Sequence, residues 1–342
     1  MPTRRSANGE GINWVVDPSE TMPLKIGDKG EAAYTPQTIM EVFETTVSKH
    51  GSKPALHMKR KDADGVLPKE WQVWTWQEYY DDCIKFAKAL VYLKVDLHKI
   101  VNILGFNAPE WFIANIGTIL GGSIAAGIYP STLAQGCYYV SDHSKAEVVC
   151  TDDNKQLYKY IEVLKKSKLP HLKCFVVWDV DVDPKAVKEL KKLGKTVYSW
   201  DDFMDLGASL GDDQVQDRAD RIQPGHCSSL IYTSGTTGPP KAVMISHDNV
   251  TWTTRCVFET VMECNHEDRI VSFLPLSHIA AQVMDMHGPM GIGAQTYFAQ
   301  TDAMKGSLKD TLLDVEPTIF FGVPRVWEKF AEGMKKVARS KP

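Results

Sequence analysis

The most informative segment of the chain is Cys227-Ser-Ser-Leu-Ile-Tyr-Thr-Ser-Gly-Thr-Thr-Gly-Pro-Pro-Lys-Ala-Val-Met-Ile-Ser246, in which two apolar runs flank a polar turn. Six consecutive residues between the runs, Thr233 to Gly238, are all Thr, Ser or Gly. Glycine permits backbone conformations in which several amide N–H groups converge on one anion. The segment therefore predicts a strand, a phosphate-binding loop and a second strand.

The side chains of this loop fit the same interpretation. Hydroxyl groups add hydrogen-bond donors, Lys241 adds a positive charge, and Pro239 with Pro240 lowers the entropy lost when the loop becomes ordered. A flexible surface loop is the alternative, but the order of strand, loop, proline pair and lysine weighs against it. The residues predicted to bind phosphate are Thr233, Ser234, Gly235, Thr236, Thr237, Gly238 and Lys241.

Two common nucleotide motifs do not match. A Walker A loop has four residues between its glycines and then Gly-Lys-Ser/Thr, whereas Gly235 and Gly238 are separated by two residues. The loop also lacks the Gly-x-Gly-x-x-Gly pattern that opens a helix in dinucleotide-binding folds. The phosphate loop must therefore belong to another class.

Strand-like and helix-like segments alternate along the chain, which predicts an α/β protein with largely parallel sheets. The predicted strands are 101–106, 123–128, 147–150, 174–178, 227–232, 242–245, 270–274, 296–298 and 318–321. The predicted helices are 76–91, one from Pro109, 155–168, 184–193 and one from about 248. Residues 1–34 are polar and aperiodic and predict an N-terminal tail or surface arm, with one domain over 35–342 and a subdomain seam near 214–224.

Composition narrows the class of protein. The formal net charge of −4 argues against a nucleic-acid binder. Seven dispersed cysteines without paired spacing favour reduced thiols and a cytoplasmic location. The apolar stretch 113–129 is broken by glycines and predicts a buried helix, turn and strand, so any association with the endoplasmic reticulum or another intracellular membrane is expected to be peripheral.

The segment from Tyr232 to Lys241, continuing Ala-Val-Met-Ile-Ser-His247, resembles the signature loop of the AMP-forming adenylating superfamily. That superfamily includes acyl-CoA synthetases, firefly luciferase and the adenylation domains of peptide synthetases. The resemblance implies the layered α/β subdomains of the large N-terminal domain, incomplete at the C-terminus. Ala242 departs from the glycine that members commonly carry, and it would strain the loop only if this position required a positive φ.

Two later segments resemble long-chain acyl-CoA synthetases, and the bubblegum-type group most. They are Ser272-Phe-Leu-Pro-Leu-Ser-His-Ile-Ala-Ala-Gln282 and Phe321-Gly-Val-Pro-Arg-Val-Trp-Glu-Lys329, accompanied by LGFNAPEWF (104–112) and SWDDFM (199–204). On the residues alone, His278 is more often a structural hydrogen-bonding residue, and Arg325 could pair with Glu328. The resemblance implies that His278 lies at the carboxylate end of an acyl pocket and that Arg325 lies beside the nucleotide.

The implied activity is that of a long-chain fatty-acid–CoA ligase that uses ATP, Mg²⁺ and CoA. A fatty carboxylate attacks the α-phosphate of ATP to give acyl-AMP and pyrophosphate, and the CoA thiol then displaces AMP. Lys241 and His278 are the expected catalytic residues, and no side chain of this chain is assigned to a metal. Trp111 and Phe112 are expected to be ordinary aromatic residues of the core. Nothing in the sequence supports an acid–base role for Asp142 and His143.

Some superfamily segments have no match in these 342 residues. They are the Tyr-Gly-x-Thr-Glu segment, whose glutamate helps hold Mg²⁺, the Thr-Gly-Asp segment, whose aspartate binds ribose, and the C-terminal lid domain. We therefore expect this chain alone to be inactive or nearly so, with exposed apolar surface that favours self-association or a partner. Two alternatives stay open: a non-catalytic binding or regulatory product, and another superfamily branch, against which the segments around His278 and Arg325 weigh.

Overall fold

The computed structural model describes residues 15–24, 26–62, 64–233 and 238–340. The strands are β1 (Pro54–Met58), β2 (Gln72–Thr75), β3 (Ile100–Leu104), β4 (Ile124–Ile128), β5 (Val148–Thr151), β6 (Cys174–Val177), β7 (Thr196–Ser199), β8 (Cys227–Thr233), β9 (Lys241–Ser246), β10 (Arg269–Ser272) and β11 (Gln295–Phe298).

Helices connect these strands. The α-helices are α1 (Ile39–His50), α2 (Trp76–Tyr92), α3 (Pro109–Leu120), α4 (Ala134–Ser144), α5 (Asn154–Leu164), α6 (Pro184–Lys192), α7 (Trp200–Asp205), α8 (Asp213–Ala219), α9 (His247–Arg255), α10 (Ile279–Ala281), α11 (Gly288–Ile292), α12 (Leu308–Val315) and α13 (Pro324–Ser340). Two π-helical segments, π1 (Cys256–Val261) and π2 (Gln282–His287), follow α9 and α10, and short 3₁₀ turns lie at Gly30–Ala33 and Ala303–Lys305.

Two sheets organise the chain. The larger has the strand order β7-β6-β5-β3-β4-β8-β9, parallel throughout except for β9, which runs antiparallel to β8. The smaller has the order β10-β11-β1-β2, with β2 antiparallel at its edge. The prediction of an α/β protein with largely parallel sheets is confirmed.

The helix pair α2 and α3 joins the two sheets. A capping box between Thr75 and Glu78 starts α2, and every residue of α3 is buried. A Cβ at Gly117 would lie 2.7 Å from the Cβ of Phe86, so glycine lets the two helices approach closely. On the other side, Phe112 packs edge-to-face on Phe298 of β11 at 4.8 Å. One apolar core therefore extends across both sheets.

The segment 113–129 forms the buried helix, turn and strand that its composition predicts, since α3 ends at Leu120, Gly121 and Gly122 turn, and β4 follows. The described part of the chain contains no helix that is both long and apolar enough to cross a membrane. All seven cysteines are free thiols, and five of them are buried.

The expectation of a strand over 318–321 is wrong. A single bridge pairs Ile319 with Ile270, and the N–H groups of Thr318 and Ile319 both donate to the carbonyl of Arg269. One shared acceptor cannot extend into a ladder. Phe320 instead stacks on Phe273 at 5.6 Å, so aromatic packing holds this segment in place of strand pairing.

The N-terminal residues in the described ranges lie along the surface. The N–H of Met22 donates to the carbonyl of Gly225 at 2.8 Å, and the indole N–H of Trp252 donates to the carbonyl of Glu31 at 2.9 Å. Helix α8 (Asp213–Ala219) overlaps the expected seam at 214–224, and its Arg218 donates to the carbonyl of Val95. The domain boundaries near 34 and 214–224 remain predictions.

Two buried histidines make the stability of the fold depend on pH. The pKa values of His247 and His287 are both lowered to about 3, in each case chiefly by burial and for His247 also by nearby histidines. The Nδ1 of His247 accepts the N–H of Ile39 at 3.2 Å, so it is held neutral. The unfolded chain binds these protons near pH 6.5, whereas the folded chain does not. The stability that depends on these neutral histidines is therefore fully present above pH 6.5 and is lost as the pH falls below it.

We expect His287→Gln to reduce this acid sensitivity. Between pH 7 and pH 5 the wild-type chain should lose about 2 kcal/mol more unfolding free energy than the variant, because one buried histidine no longer opposes folding. Urea titrations at several pH values measure this difference. His171→Gln, at an exposed histidine, is the control. Equal pH slopes for wild type and His287→Gln would contradict the assignment.

Candidate functional site

The hairpin of β8 and β9 carries the predicted phosphate loop. Thr233 ends β8 and pairs with Lys241, the first residue of β9, and both side chains are exposed. Within the described part of the chain, the Lys241 ammonium has no ion-pair partner. Gly238 has φ +96°, a conformation that favours glycine. The other predicted phosphate-binding residues, Ser234, Gly235, Thr236 and Thr237, lie outside the described residues.

Ala242 does not strain the loop. It lies inside β9, where it pairs with Tyr232, and its φ is not positive. Alanine adopts this extended conformation freely. The departure from the glycine of related sequences is therefore harmless to the backbone here.

Helix α4 holds both ends of the loop. The hydroxyl of Tyr139 donates to the carbonyl of Pro240 at 2.9 Å, directly before Lys241. One turn later, the Nδ1 of His143 lies 2.9 Å from the hydroxyl of Tyr232, directly before Thr233. We name this pair of contacts the α4 clamp. His143 thus takes a structural place beside the loop, and its spacing of four from Tyr139 is the only signal in the sequence that could have indicated it.

An apolar cavity of roughly 390 Å³ lies beyond the end of β9. Its volume falls within the range of about 300–1,000 Å³ that small-molecule sites occupy. Seven of its nine lining residues are apolar. The lining residues are Ile245, Asn249, Val250, Thr253, Ile279, Ala280, Val283, Met284 and Phe321. The cavity therefore joins the end of the hairpin to the segment that begins at His278.

Sequence reasoning missed most of this cavity lining. Asn249 is placed there by its capping box with Ser246 at the start of α9. Val283 and Met284 lie on π2, and the irregular turn of a π-helix is common at functional sites. The Ser-x-x-Asn spacing could have indicated the helix start, but no local pattern indicates that α9 and π2 face each other.

His278 caps the short helix α10 at the edge of this cavity. Its Nδ1 accepts the N–H of Ala280, a lining residue, at 3.1 Å. A ring nitrogen that accepts a hydrogen bond carries no proton, so the neutral ring bears its proton on Nε2. The side chain of His278 is exposed. The ring can therefore offer an Nε2–H donor to a ligand.

Arg325 lies elsewhere. It is the second residue of α13, its side chain is 62% exposed, and its guanidinium pairs with Glu328 at 2.8 Å and with Glu332 at 3.6 Å. It does not line the cavity, although Phe321, four residues earlier, does. The structure thus places His278 directly before the lining residues Ile279 and Ala280, and it leaves Arg325 in a surface ion pair, which is the alternative that its sequence context offered.

The family model described as AMP-binding enzyme matches residues 43–341. The chain belongs to this family. It is 41% identical over 327 residues to the long-chain-fatty-acid–CoA ligase ACSBG2 of Xenopus laevis, covering 95% of this chain and 42% of that protein. It is 39% identical over 306 residues to the ligase ACSBG1 of Mus musculus, covering 89% and 40%.

Solved structures show the same fold. The adenylation domain of the carboxylate reductase from Mycobacterium chelonae matches 91% of this chain and 50% of its own, with a TM-score of 0.71 and 19% identity. A carboxylic acid reductase A domain from Segniliparus rugosus, solved with AMP and a co-purified carboxylic acid, matches 92% and 54% at a TM-score of 0.71 and 20% identity. The expected layered α/β fold of adenylate-forming enzymes is confirmed. The chain spans less than half the length of the ligases it resembles.

The α4 clamp generates a prediction for nucleotide binding. Tyr139→Phe removes the donor to Pro240 and leaves the ring, so the exit of the loop is held less firmly. We expect the dissociation constant for ATP to rise roughly 5-fold, as the loss of one neutral hydrogen bond implies. Isothermal titration calorimetry measures it.

Tyr138→Phe is the matched control for this experiment. Tyr138 is the neighbouring residue on α4, is similarly exposed, and points its hydroxyl to the carbonyl of Lys168 instead. If both variants bound ATP as the wild type does, the clamp would have no role in the loop.

Proposed function

We propose that this chain contributes the ATP-phosphate loop and the acyl cavity of an AMP-forming long-chain fatty-acid–CoA ligase. One observation carries the proposal. The strand that begins at Lys241, after the phosphate loop, ends at an apolar cavity, and another wall of that cavity begins at Ile279, directly after His278. A phosphate site and an alkyl site thus share one rigid element.

The cavity suits an alkyl chain. Each methylene group that leaves water for an apolar wall contributes about 0.8 kcal/mol to binding. The Nδ1 of His278 accepts the N–H of the lining residue Ala280, and in this proposal the Nε2–H of the same ring donates to the substrate carboxylate. The similarity to long-chain-fatty-acid–CoA ligases supports a long aliphatic acid as substrate.

The phosphate loop serves the first half of the reaction. An oxygen of the fatty carboxylate attacks the α-phosphorus of ATP and pyrophosphate leaves with the bonding electrons. Lys241, with the amides and hydroxyls of the loop, stabilises the negative charge that develops on the phosphate oxygens. In the second half the CoA sulfur attacks the acyl carbon and AMP leaves. No described residue is assigned to CoA.

Mg²⁺ accompanies ATP in this proposal as part of the nucleotide substrate. The described residues contain no group of three or more His, Cys, Asp or Glu side chains that could hold a metal ion. No side chain described here is therefore proposed as a magnesium ligand.

Lys241→Ala tests the phosphate site. The side chain is exposed at the start of an edge strand, so its removal should change unfolding free energy little. Loss of a charge-assisted contact to phosphate should raise the dissociation constant for ATP by at least about 10-fold. Calorimetry gives the constant and urea titration gives the stability.

Lys188→Ala, an exposed lysine on α6, is the control and should leave both quantities unchanged. A stability loss without a loss of ATP binding would refute the role of Lys241. A second assay, palmitate-dependent release of pyrophosphate from ATP, tests whether this chain is active by itself. Release would show that these residues contain a complete adenylating site. Binding of ATP and palmitate without release would show that the chain binds both substrates but does not catalyse the reaction.

Val283→Phe tests the cavity. The larger ring would occupy space beside Met284 and displace part of a bound alkyl chain. Displacing two methylene groups corresponds to a loss of roughly 15-fold in palmitate affinity. Displacement of a fluorescent fatty acid by palmitate measures the affinity.

Val187→Phe makes the same change at a 40% exposed position on α6, away from the cavity. It should bind palmitate as the wild type does. Equal affinity in the wild type and in Val283→Phe would place the acyl chain elsewhere.

A further inference from the structure

A chain of buried hydrogen bonds lies behind the segment that carries His278. The side-chain amide of Asn107 donates to the hydroxyl of Ser272 at 2.8 Å, and that hydroxyl donates to a carboxyl oxygen of Asp285 at 2.9 Å. All three side chains are at most 2% exposed. We name these three residues the polar clasp.

The clasp joins three parts of the fold. Asn107 follows β3 of the larger sheet, Ser272 ends β10 of the smaller sheet, and Asp285 lies on π2, which forms a wall of the cavity. In addition, the hydroxyl of Thr296 on β11 donates to the backbone carbonyl of Asp285 at 2.8 Å. The position of π2 is therefore set by polar contacts to two strands of the smaller sheet and, through Ser272, to the larger sheet.

The same network holds the loop before His278. Asn107 also donates to the carbonyl of Leu274 at 2.8 Å, and the side-chain amide of Gln282 donates to the carbonyl of Leu276 at 2.7 Å. Two carbonyls of the five residues between β10 and His278 are thus bound by fully buried amides. The N–H of His278 in turn donates to the carbonyl of Pro275 at 3.0 Å.

A hydrophobic core does not require these groups. A carboxyl group without an ionic partner is costly to bury, and burial raises the pKa of Asp285 to about 8. Non-polar residues of similar size would pack at lower cost. Polar groups that are costly in a core but hydrogen-bonded to one another favour one geometry, since each hydrogen bond has a direction.

We propose that Asn107, Ser272 and Asp285 are positioning residues that fix the His278 loop and the π2 wall relative to each other. The role in ligand binding rests on the proposed acyl site, whereas the role in loop order does not. None of the three lines the cavity. The clasp acts through the backbone of 274–278 and through π2, and it thereby fixes His278 relative to the lining residues Ile279 and Ala280.

The test compares Asn107→Leu with Asn102→Leu. Asn102 is equally buried on the preceding strand β3, but its partners are Ser141 and Ser144 of α4. Both variants leave polar partners unsatisfied, so both should lose stability. Only Asn107→Leu should speed amide hydrogen exchange in peptides covering 273–282 and weaken palmitate binding, by roughly 10-fold.

A second comparison, of Asp285→Asn with Asp285→Leu, tests whether an oxygen acceptor at this position preserves the clasp. Asparagine keeps an oxygen that accepts from Ser272, whereas leucine does not. We expect exchange in 273–282 and palmitate affinity near wild-type values for Asp285→Asn, and the Asn107→Leu defects for Asp285→Leu. Unfolding free energies measured in parallel identify variants that are still folded.

Three outcomes would overturn the proposal. They are unchanged exchange in Asn107→Leu, equal changes in Asn107→Leu and Asn102→Leu, and a failure of Asp285→Asn to restore what Asp285→Leu loses. If the wild-type chain did not bind palmitate, the acyl site would fail while the exchange data would still decide the clasp.

Discussion

The antiparallel pairing of β9 with β8 is the constraint on which the rest of the site depends. It sets Thr233 opposite Lys241, so the loop between them must close over a fixed span. The same strand then ends in the Ser246–Asn249 capping box, which directs α9 along the cavity. Because β8 is parallel to its other neighbour, β4, the hairpin is tied into a sheet whose remaining strands are all buried or flanked by helices. A shift in this one register would move both ends of the site together.

The core around the site contains neutral groups whose effects on stability oppose each other. The lowered pKa values of His247 and His287 remove stability as the pH falls below 6.5. Asp285 acts in the other direction, because its raised pKa keeps a proton bound in the folded chain up to about pH 8 while the unfolded chain releases it near pH 4. Stability from Asp285 is therefore lost as the pH rises from 4 through 8. The two slopes partly cancel between pH 4 and 6.5, and near neutral pH all three groups are mainly uncharged.

Much of the fold could be predicted from the sequence because its signals are local. Apolar runs give six of the seven strands of the larger sheet within one or two residues, the exception being the short edge strand β7, and the stripe that includes Trp76, Cys83 and Ala87 gives α2. The run 318–321 has the same apolar character yet forms no strand, since aromatic packing on Phe273 takes the place of pairing. Apolar composition alone does not distinguish a segment that pairs as a strand from one that is held by aromatic packing.

The motifs of the candidate site can be recognised in the sequence, but the contacts between them cannot. The residues of the loop and His278 are visible as short patterns, whereas the cavity arises between α9 and π2 and the clasp joins residues as far apart as Asn107 and Asp285. Arg325 is also visible as a motif position, and its place beside the nucleotide stays a prediction, since the structure shows it paired with Glu328 on the surface. Contacts between residues that are far apart in the sequence leave no periodic pattern in it, so only the folded structure reveals them.

The geometry of β9 also bears on how two substrates could share this site. Side chains on a strand alternate between its faces, so Lys241, Val243 and Ile245 lie on one face. Four residues span about 13 Å at the rise of a β-strand. Lys241 lies at the loop end of this face, Ile245 lines the cavity, and Val243 lies between them with 44% of its surface exposed. In the proposed complex, a ligand with its alkyl tail in the cavity and its carboxylate directed at phosphate would cover Val243. This contact would remove an exposed apolar side chain of an edge strand from water.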